Sequence, residues 1–326
     1  MAKRAALALA AALALFCYWL LAPYPGARQD AFVEIERGMS SHQIADTLAA
    51  QGVVRSSATF LAIRGLRPWA KLQAGEYRFL AGQTPWQVFD KIRRGEIFYE
   101  DFTVPEGSNL FDIAALLERG DTVPADAFLK AAADPASIRD LDPQAPDLEG
   151  YLFPSTYRVT HHTTARQLCH LMTAEFRRQW RALGGGTAPA DAHNVVTLAS
   201  LIEKETAVAG ERPLVAAVFV NRLRAAMPLQ CDPTTVYAAL LENRYRGVIH
   251  KSDLSSGNPY NTYAHVGLPP GPIANPGVPS LKAALHPAAV DYLYFVAKAD
   301  GSGSHHFSAT LAEHVKAVAA FRQNVR

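Results

Sequence analysis

Hydrophobic and polar positions divide the chain into three stretches with different periods. The first is Ala5 to Ala22, eighteen residues without a charge, behind Met1-Ala2-Lys3-Arg4. A spanning helix needs roughly 17–25 predominantly apolar residues, so the run predicts an N-terminal transmembrane helix within an anchor over residues 1–25. A cleaved signal peptide fits less well, because Pro23, Tyr24 and Pro25 interrupt any small-x-small site. Bulky Phe16 and Tyr18 around Cys17 argue against lipid attachment there. With Lys3 and Arg4 kept inside by the positive-inside rule, the bulk of the chain is expected outside the cytoplasm.

The second stretch, residues 30–120, repeats a short alternating strand, a glycine turn and an amphipathic helix. Phe32-Val33-Glu34-Ile35 precedes Gly38 and then Ile44, Ala45 and Leu48. Phe102-Thr103-Val104 precedes Gly107 and then Ile113, Ala114 and Leu117. A weaker copy runs from Tyr77-Arg78-Phe79 through Gly82 to Val88, Phe89 and Ile92. Ser41, Ser108 and Thr84 stand near the expected helix starts. This small α/β module resembles LysM-type modules, which bind chitin-like or peptidoglycan glycans, and Trp69, Trp86, Phe98 and Tyr99 are candidate stacking platforms. A packing domain without a ligand fits the pattern as well, since aromatics at such spacing are commonly core.

The third stretch, residues 121–326, reads as a mixed α+β domain and makes the chain α+β overall. It opens with an Asp-, Ala- and Pro-rich connection over 121–148, and an apolar segment headed by Glu149 follows. Helices are predicted over Ala165 to Leu183, Val195 to Ala209, Leu214 to Leu223 and Leu311 to Arg326, with Gly184-Gly185-Gly186 between the first two. Tyr292 to Val296 predicts a strand, and His305-His306-Phe307 is its candidate partner. Proline-rich loops carrying Asp232, Asn261 and Tyr263 lie between, and proline bars them from helix interiors and central strands.

The 195–209 helix carries the sharpest chemical signal. At about 100° per residue, Leu198, Leu201, Ile202, Val208 and Ala209 share one arc. Glu205 falls inside that arc, whereas Glu203 and Lys204 point away from it. Residues two apart do not share a face, so Glu203 is expected to be solvated or paired. Burial disfavours a carboxylate and raises its pKa, which suits Glu205 to general-acid work near neutral pH; by periodicity alone, a surface glutamate on a helix of slightly different phase fits equally well.

Composition narrows this picture by exclusion. The formal charge is only +2, from 32 basic and 30 acidic side chains, so no polyanion field is implied and no nucleic acid is expected. There is no His-Glu-x-x-His, paired Cys-x-x-Cys, Gly-x-Ser-x-Gly or phosphate-cradling Gly-Lys loop. His161-His162 and His305-His306 are sequence neighbours, a poor geometry for one metal, and neither a metal nor another cofactor is expected. Cys169 and Cys231 give no disulfide framework.

From Leu148 onward the chain resembles the endolytic murein transglycosylases of the YceG-like family. The segments that carry the resemblance begin with Glu149-Gly150-Tyr151-Leu152-Phe153-Pro154, Ile202-Glu203-Lys204-Glu205-Thr206 and Phe219-Val220-Asn221-Arg222-Leu223. Leu229-Gln230 with Asp232-Pro233-Thr234, Asn261-Thr262-Tyr263 and Gly267 to Ile273 follow, then His286-Pro287 and Tyr294-Phe295-Val296. The anchor and the LysM-like region are arranged as in the family. Two positions depart from it: Cys231 stands where a small hydroxyl residue is more usual, and Ser155 where Asp is common.

The resemblance implies cleavage of the β-1,4 bond between N-acetylmuramic acid and N-acetylglucosamine within peptidoglycan glycan strands, leaving 1,6-anhydro ends. Its catalytic glutamate falls on Glu205, the residue chosen by helix phase. Glu149, Gln230, Asp232, Asn261 and Tyr263 are candidate substrate contacts, with Glu149 either a second acid or a structural cap. Also implied are an inner-membrane location facing the periplasm, penicillin-binding proteins of cell-wall synthesis as partners, and a part in ending nascent-strand elongation. A glycan-binding scaffold without catalysis and a lysozyme-like hydrolase using Glu149 or Asp232 are the alternatives, and product analysis separates all three.

Overall fold

The computed structural model describes residues 2–24, 30–184 and 189–324; Pro25 of the expected anchor and Gly185-Gly186 of the glycine run lie outside them. The chain forms two compact units, Met1–Glu100 and Asp101–Arg326. In the first, α1 (Ala2–Leu21) is followed by β1 (Ala31–Ile35), α2 (Ser41–Ala50), α3 (Ser57–Leu66), β2 (Gly75–Phe79) and α4 (Pro85–Arg94). Among the described residues no helix is long and apolar enough to cross a membrane. Behind Lys3 and Arg4, the helical residues Ala5 to Leu21 span about 26 Å at 1.5 Å per residue, against roughly 30 Å of hydrocarbon.

Strands β1 and β2 pair antiparallel with Val33 opposite Tyr77. Alternation puts Val33, Ile35, Tyr77 and Phe79 on one face, where the helices cover them with Ile44, Leu48, Phe60, Ile63, Phe89 and Ile92. Leu20 at the end of α1 joins this core. Helices α2 and α4 start at capping boxes, Ser40 with Gln43 and Thr84 with Gln87. Ser40 therefore holds the cap position expected at Ser41.

The second unit opens at β3 (Glu100–Thr103) and continues through α5 (Leu110–Arg119) and α6 (Ala125–Ala132) to β4 (Thr156–Val159) and α7 (Ala165–Ala182). The third strand–helix copy thus lies here, because β3 pairs with β4 and not with the strands of the first unit. Its helix cap is Asn109 rather than Ser108. Next come α8 (Pro189–Glu205), α9 (Arg212–Arg224), α10 (Asp232–Leu241), the single turn α11 (Lys251–Leu254) and α12 (Val278–Leu285). The chain closes with β5 (Tyr294–Ala297), β6 (His305–Ser308) and α13 (Leu311–Asn324). Strands β5 and β6 pair antiparallel, as the aromatic and histidine runs predicted.

Helix α8 is the axis of this unit, packed against α9, α10 and α12. Val196, Ala199, Leu201 and Ile202 are buried in a core that also takes in Phe176, Val215, Phe219 and Leu281. Gly150 shows how tightly the chain closes on α8. It has φ +84°, and a Cβ there would stand 2.5 Å from Pro272 and 2.9 Å from Val196. Both the left-handed backbone and the close approach call for glycine.

Candidate active site

Helix α8 ends at Glu205, four residues earlier than the predicted Ala209. Val208 N–H donates to Thr206 Oγ1 (3.1 Å), a side-chain turn that diverts the backbone, and Ala209 is exposed in a 3-10 turn. The core-facing arc therefore consists of Leu198, Leu201 and Ile202, with Glu205 as its last member. Glu205 is half-buried. Burial pushes its carboxyl above the usual range, Asp232 pushes the same way, and the Cys231 thiol, His305 and Arg222 pull against them without prevailing. The helix C-terminus adds negative potential that also favours the protonated acid.

The surroundings of Glu205 come from three distant segments. The first is Gln230-Cys231-Asp232, ahead of α10, where Gln230 holds a left-handed φ of +53°. A non-glycine residue there is strained by about 1–3 kcal/mol and is commonly found at functional sites. Hydrogen bonds tie this segment to the second, Asn261-Thr262-Tyr263. Gln230 N–H donates to Thr262 O (3.2 Å), Cys231 N–H donates to Thr262 Oγ1 (3.0 Å), and the Thr234 and Thr262 hydroxyls meet at 2.9 Å. The Tyr263 hydroxyl donates to Asp232 Oδ1. Burial and that bond raise the phenol's pKa, so Tyr263 stays a neutral donor.

The third segment is β6, where His305 is clamped by Glu211. The backbone N–H of His305 lies 2.8 Å from Glu211 Oε1, and its Nδ1 lies 2.7 Å from Oε2. Beneath the site Arg222 is buried, its Nε donating to Leu293 O (2.7 Å), its Nη1 to Leu229 O (2.9 Å), and its guanidinium over the Tyr294 ring. Cys231, Arg222, Glu211 and His305 were not named as site residues from sequence. Glu211 and His305 are 94 positions apart, and no local pattern signals their contact.

The structure decides between the readings left open for Glu203 and Glu149 and changes the one for Asn261. Glu203 turns away from Glu205 and is paired rather than solvated, as a buried pin. Its carboxylate takes Arg212 Nη2 at 3.2 Å and the Gly277 N–H at 2.9 Å, with its side chain 5% exposed. Arg212 Nε in turn donates to Ser280 Oγ (3.0 Å), so α8, α9 and α12 are fastened together.

Glu149 is a cap and not a second acid in the site. It is 1% exposed and takes Leu110 N–H at the start of α5 (2.9 Å) and Asn275 Nδ2 (2.9 Å), so both its oxygens are engaged by protein. Burial pushes its pKa up to about 8.

Asn261 cannot contact sugar. It is fully buried, its amide donates to the carbonyls of Leu254 (3.1 Å) and Ser256 (2.7 Å), and its Oδ1 takes Tyr263 N–H (3.1 Å). Gln230, Asp232 and Tyr263 are the candidate contacts that the fold gathers at Glu205. Cys169 and Cys231 are both buried, free thiols.

The arrangement defines an α+β protein whose candidate site is built round the Glu205 carboxyl. One half-buried carboxyl at a helix end can give a proton and take one back, flanked by the partly exposed polar groups Gln230, Asp232 and Tyr263. The YceG-like family model matches residues 33–320. The endolytic murein transglycosylase of Bacillus subtilis is 34% identical over 303 residues, 87% of this chain and 83% of that protein. That of Streptococcus pneumoniae is 30% identical over 81% of this chain, which spans about half (54%) of its length. A YceG-like protein of Listeria monocytogenes, solved by crystallography, superposes with TM-score 0.55 at 31% identity, over 88% of this chain and 99% of that one. The chain belongs to the YceG-like family.

Proposed function

We propose that the chain is an endolytic lytic transglycosylase that cleaves the β-1,4 bond between N-acetylmuramic acid and N-acetylglucosamine within peptidoglycan strands. The observation that carries this is the Glu205 carboxyl, half-buried at the end of α8 and raised in pKa by burial, in a family whose curated relatives bear that activity in their names. Ordinary glycosidases use two carboxyl groups. Here Glu205 gives its proton to the leaving oxygen as the bond to the muramic C1 breaks. The C6 hydroxyl of the same sugar then attacks C1 and its proton passes to the Glu205 carboxylate, which restores the acid. No water is consumed, the product is a 1,6-anhydro end, and the attack gains from being intramolecular. Gln230, Asp232 and Tyr263 hold the sugars.

Mass spectrometry of strands digested by the full chain tests the reading. Anhydro ends are expected. Reducing ends, heavier by one water, would make it a hydrolase with Asp232 as second carboxylate, and an absence of cleavage would leave a binding scaffold.

The first unit binds glycan. A cleft of about 470 Å³ opens between the β1–α2 turn and the loop after α3, lined among others by Glu36, Ser41, Arg64, Trp69 and Lys71. Trp69 is 78% exposed, an aromatic face available to a sugar ring. Trp69→Ala in the full chain is expected to weaken sacculus binding while leaving cleavage of short soluble strands; equal binding refutes it. The uncharged run behind Lys3 and Arg4 supports attachment to the inner membrane with the remainder in the periplasm, and extraction of the chain by carbonate alone would refute it. Work beside penicillin-binding proteins at the end of strand elongation completes the proposal. Unchanged strand lengths in cells lacking the protein would overturn that part.

A further inference from the structure

Four non-glycine residues among those described take a left-handed backbone: Asp121, Ala226, Gln230 and Asn243. Three of them stand two residues beyond a helix, Asp121 after α5, Ala226 after α9 and Asn243 after α10. That is the ordinary place for a left-handed residue, where it closes a helix and gives orphan carbonyls a donor. Ala226 N–H indeed bonds Leu223 O at 3.2 Å, and Asn243 N–H bonds Leu240 O at 3.0 Å. Gln230, with φ +53°, closes no helix. It lies six residues past the end of α9 and just ahead of α10, in the segment that carries Cys231 and Asp232. Glycine would adopt this backbone without the steric cost that a Cβ brings.

The backbone is pinned on both sides of Gln230. Ahead of it, the Leu229 carbonyl takes Arg222 Nη1 at 2.9 Å and the Pro228 carbonyl takes the same nitrogen at 3.3 Å. Arg222 is itself fixed, because its Nε donates to Leu293 O at 2.7 Å. From Gln230 onward, Thr262 engages the chain with two oxygens. Its carbonyl takes Gln230 N–H at 3.2 Å, and its hydroxyl oxygen takes Cys231 N–H at 3.0 Å. The Thr234 hydroxyl completes the lock, 2.7 Å from Cys231 O and 2.9 Å from Thr262 Oγ1. Leu229, Cys231, Thr234 and Thr262 are buried, whereas Gln230 is exposed and its carboxamide has no protein partner among the described residues. Backbone strain persists only where the surroundings over-determine it. Here a buried scaffold does so, and what it sets is the direction of one exposed carboxamide.

We propose that Thr262 and Arg222 are positioning residues for the glycan strand, holding Gln230 in its strained turn so that its carboxamide is aimed at the sugars before they bind. This rests on the reading of the site as one that holds peptidoglycan strands, and it deepens that reading. A carboxamide offers a carbonyl acceptor and two N–H donors, which suits it to a polar sugar. Ordering the backbone beforehand lowers what binding must spend on ordering it later.

The test measures KM and kcat of the full chain on soluble glycan strands, together with the affinity of those strands in a Glu205→Gln background, which reads binding without turnover. Gln230→Gly removes the side chain and accepts the left-handed backbone. Its melting temperature should hold or rise, because relief of strain outweighs the freedom that glycine adds to the unfolded chain. KM should rise about two- to tenfold, the worth of one neutral hydrogen bond, with kcat unchanged. Gln230→Asn tolerates the turn and keeps a shorter carboxamide, so its KM should fall between. Thr262→Val loses the hydroxyl and should raise KM as Gln230→Gly does, whereas Thr262→Ser keeps it and should match wild type. Thr262→Val added to Gln230→Gly should raise KM no further, since no side chain remains to be aimed. If Thr262→Val fails to fold, Arg222→Lys takes its place, because lysine lacks the fork that bonds Leu229 and Leu293 together. A lowered melting temperature or an unchanged KM in Gln230→Gly overturns the proposal, and so do two KM effects that multiply in the double variant. Reducing ends on the products overturn the transglycosylase reading instead, while the strand affinities still decide for or against Gln230.

Discussion

The Cys231 thiol and the Glu205 carboxyl perturb each other: the thiol pulls the acid's pKa down, and the acid pushes the thiol's up, which places a weak donor against the acid of the site. Burial, then the charge of Glu205, holds this thiol well above the ordinary cysteine pKa, so it is neutral and a poor nucleophile. A hydroxyl at the same position is a stronger donor and favours the carboxylate more. Cys231→Ser is therefore expected to move the basic limb of the kcat/KM profile to lower pH, and Cys231→Ala to move it higher. Both should keep activity within about tenfold, since a neutral hydrogen bond contributes roughly 0.5–1.5 kcal/mol. Native wild-type protein should not react with maleimide at Cys231; rapid labelling there would contradict the packing described.

Glu205 and Glu203 should fail differently when each is changed to Gln. Glu205→Gln removes the proton donor, and general acid–base catalysis is typically worth about 10²–10⁴-fold; because one group serves both steps, the loss falls at the upper end or beyond. Its melting temperature should hold or rise at neutral pH. A folded pKa raised above the unfolded value means stability is fully present below the unfolded pKa and lost as pH rises toward the folded one, and Gln removes that loss. Glu203→Gln instead breaks the pair with Arg212 (side chains 5% and 10% exposed). Losing one partner of a buried pair costs about 3–5 kcal/mol, nearer the lower figure here because the Gln amide still accepts from Gly277. Folded Glu203→Gln should keep most of its activity per molecule. Thermal melts beside anhydromuropeptide release decide this, and an inactive but fully stable Glu203→Gln would reverse the assignment.

Helix phase located Glu205 because Leu198, Leu201 and Ile202 bury by local period, and that period is written in adjacent residues. What the phase did not show is where the helix stops, since the Thr206 turn competes with helical hydrogen bonding through a side chain. Asn261 was read as a sugar contact, and Glu149 was left between a second acid in the site and a structural cap, because both are polar residues in loops. Their partners, Leu110 and Asn275 for one and the carbonyls of Leu254 and Ser256 for the other, are supplied by the folded chain. A residue's type says that it needs partners and leaves open whether protein or ligand provides them. The third strand–helix copy makes the same point for the fold. Its local pattern matches the first two, yet β3 finds its partner in β4, more than fifty residues on.

Glu149 should make the second unit sensitive to alkali. With its pKa raised to about 8 from a usual 4.5, it is protonated when folded and ionised when unfolded across that interval. Its contribution is fully present below about pH 4.5 and is lost as pH rises to about 8. Glu149→Gln, neutral throughout, should flatten the fall in melting temperature across this window without shifting the pH limbs of kcat/KM. A melting curve that still falls as steeply in the variant would mean that other groups, such as Asp147, dominate.

Asp232 is the one remaining candidate for a second carboxylate, and its removal separates the transglycosylase from a hydrolase. Its negative charge faces Glu205 and raises that acid's pKa, and its Oδ1 takes the Tyr263 hydroxyl. If Asp232 only shapes the field and holds Tyr263 in place, Asp232→Asn keeps an acceptor for Tyr263 and loses the charge. The basic limb should then move to lower pH, the fold of kcat lost should stay well short of that in Glu205→Gln, and every product should still end in an anhydro sugar. If Asp232 instead activates water or attacks the sugar, the wild type yields reducing ends, and Asp232→Asn falls by a factor comparable to Glu205→Gln, because both carboxyl groups of a two-acid glycosidase are needed. Tyr263→Phe adds a control that frees the carboxylate without removing it. Under the single-acid mechanism it weakens substrate binding more than kcat, a rise in KM that a change in the chemical step would not produce.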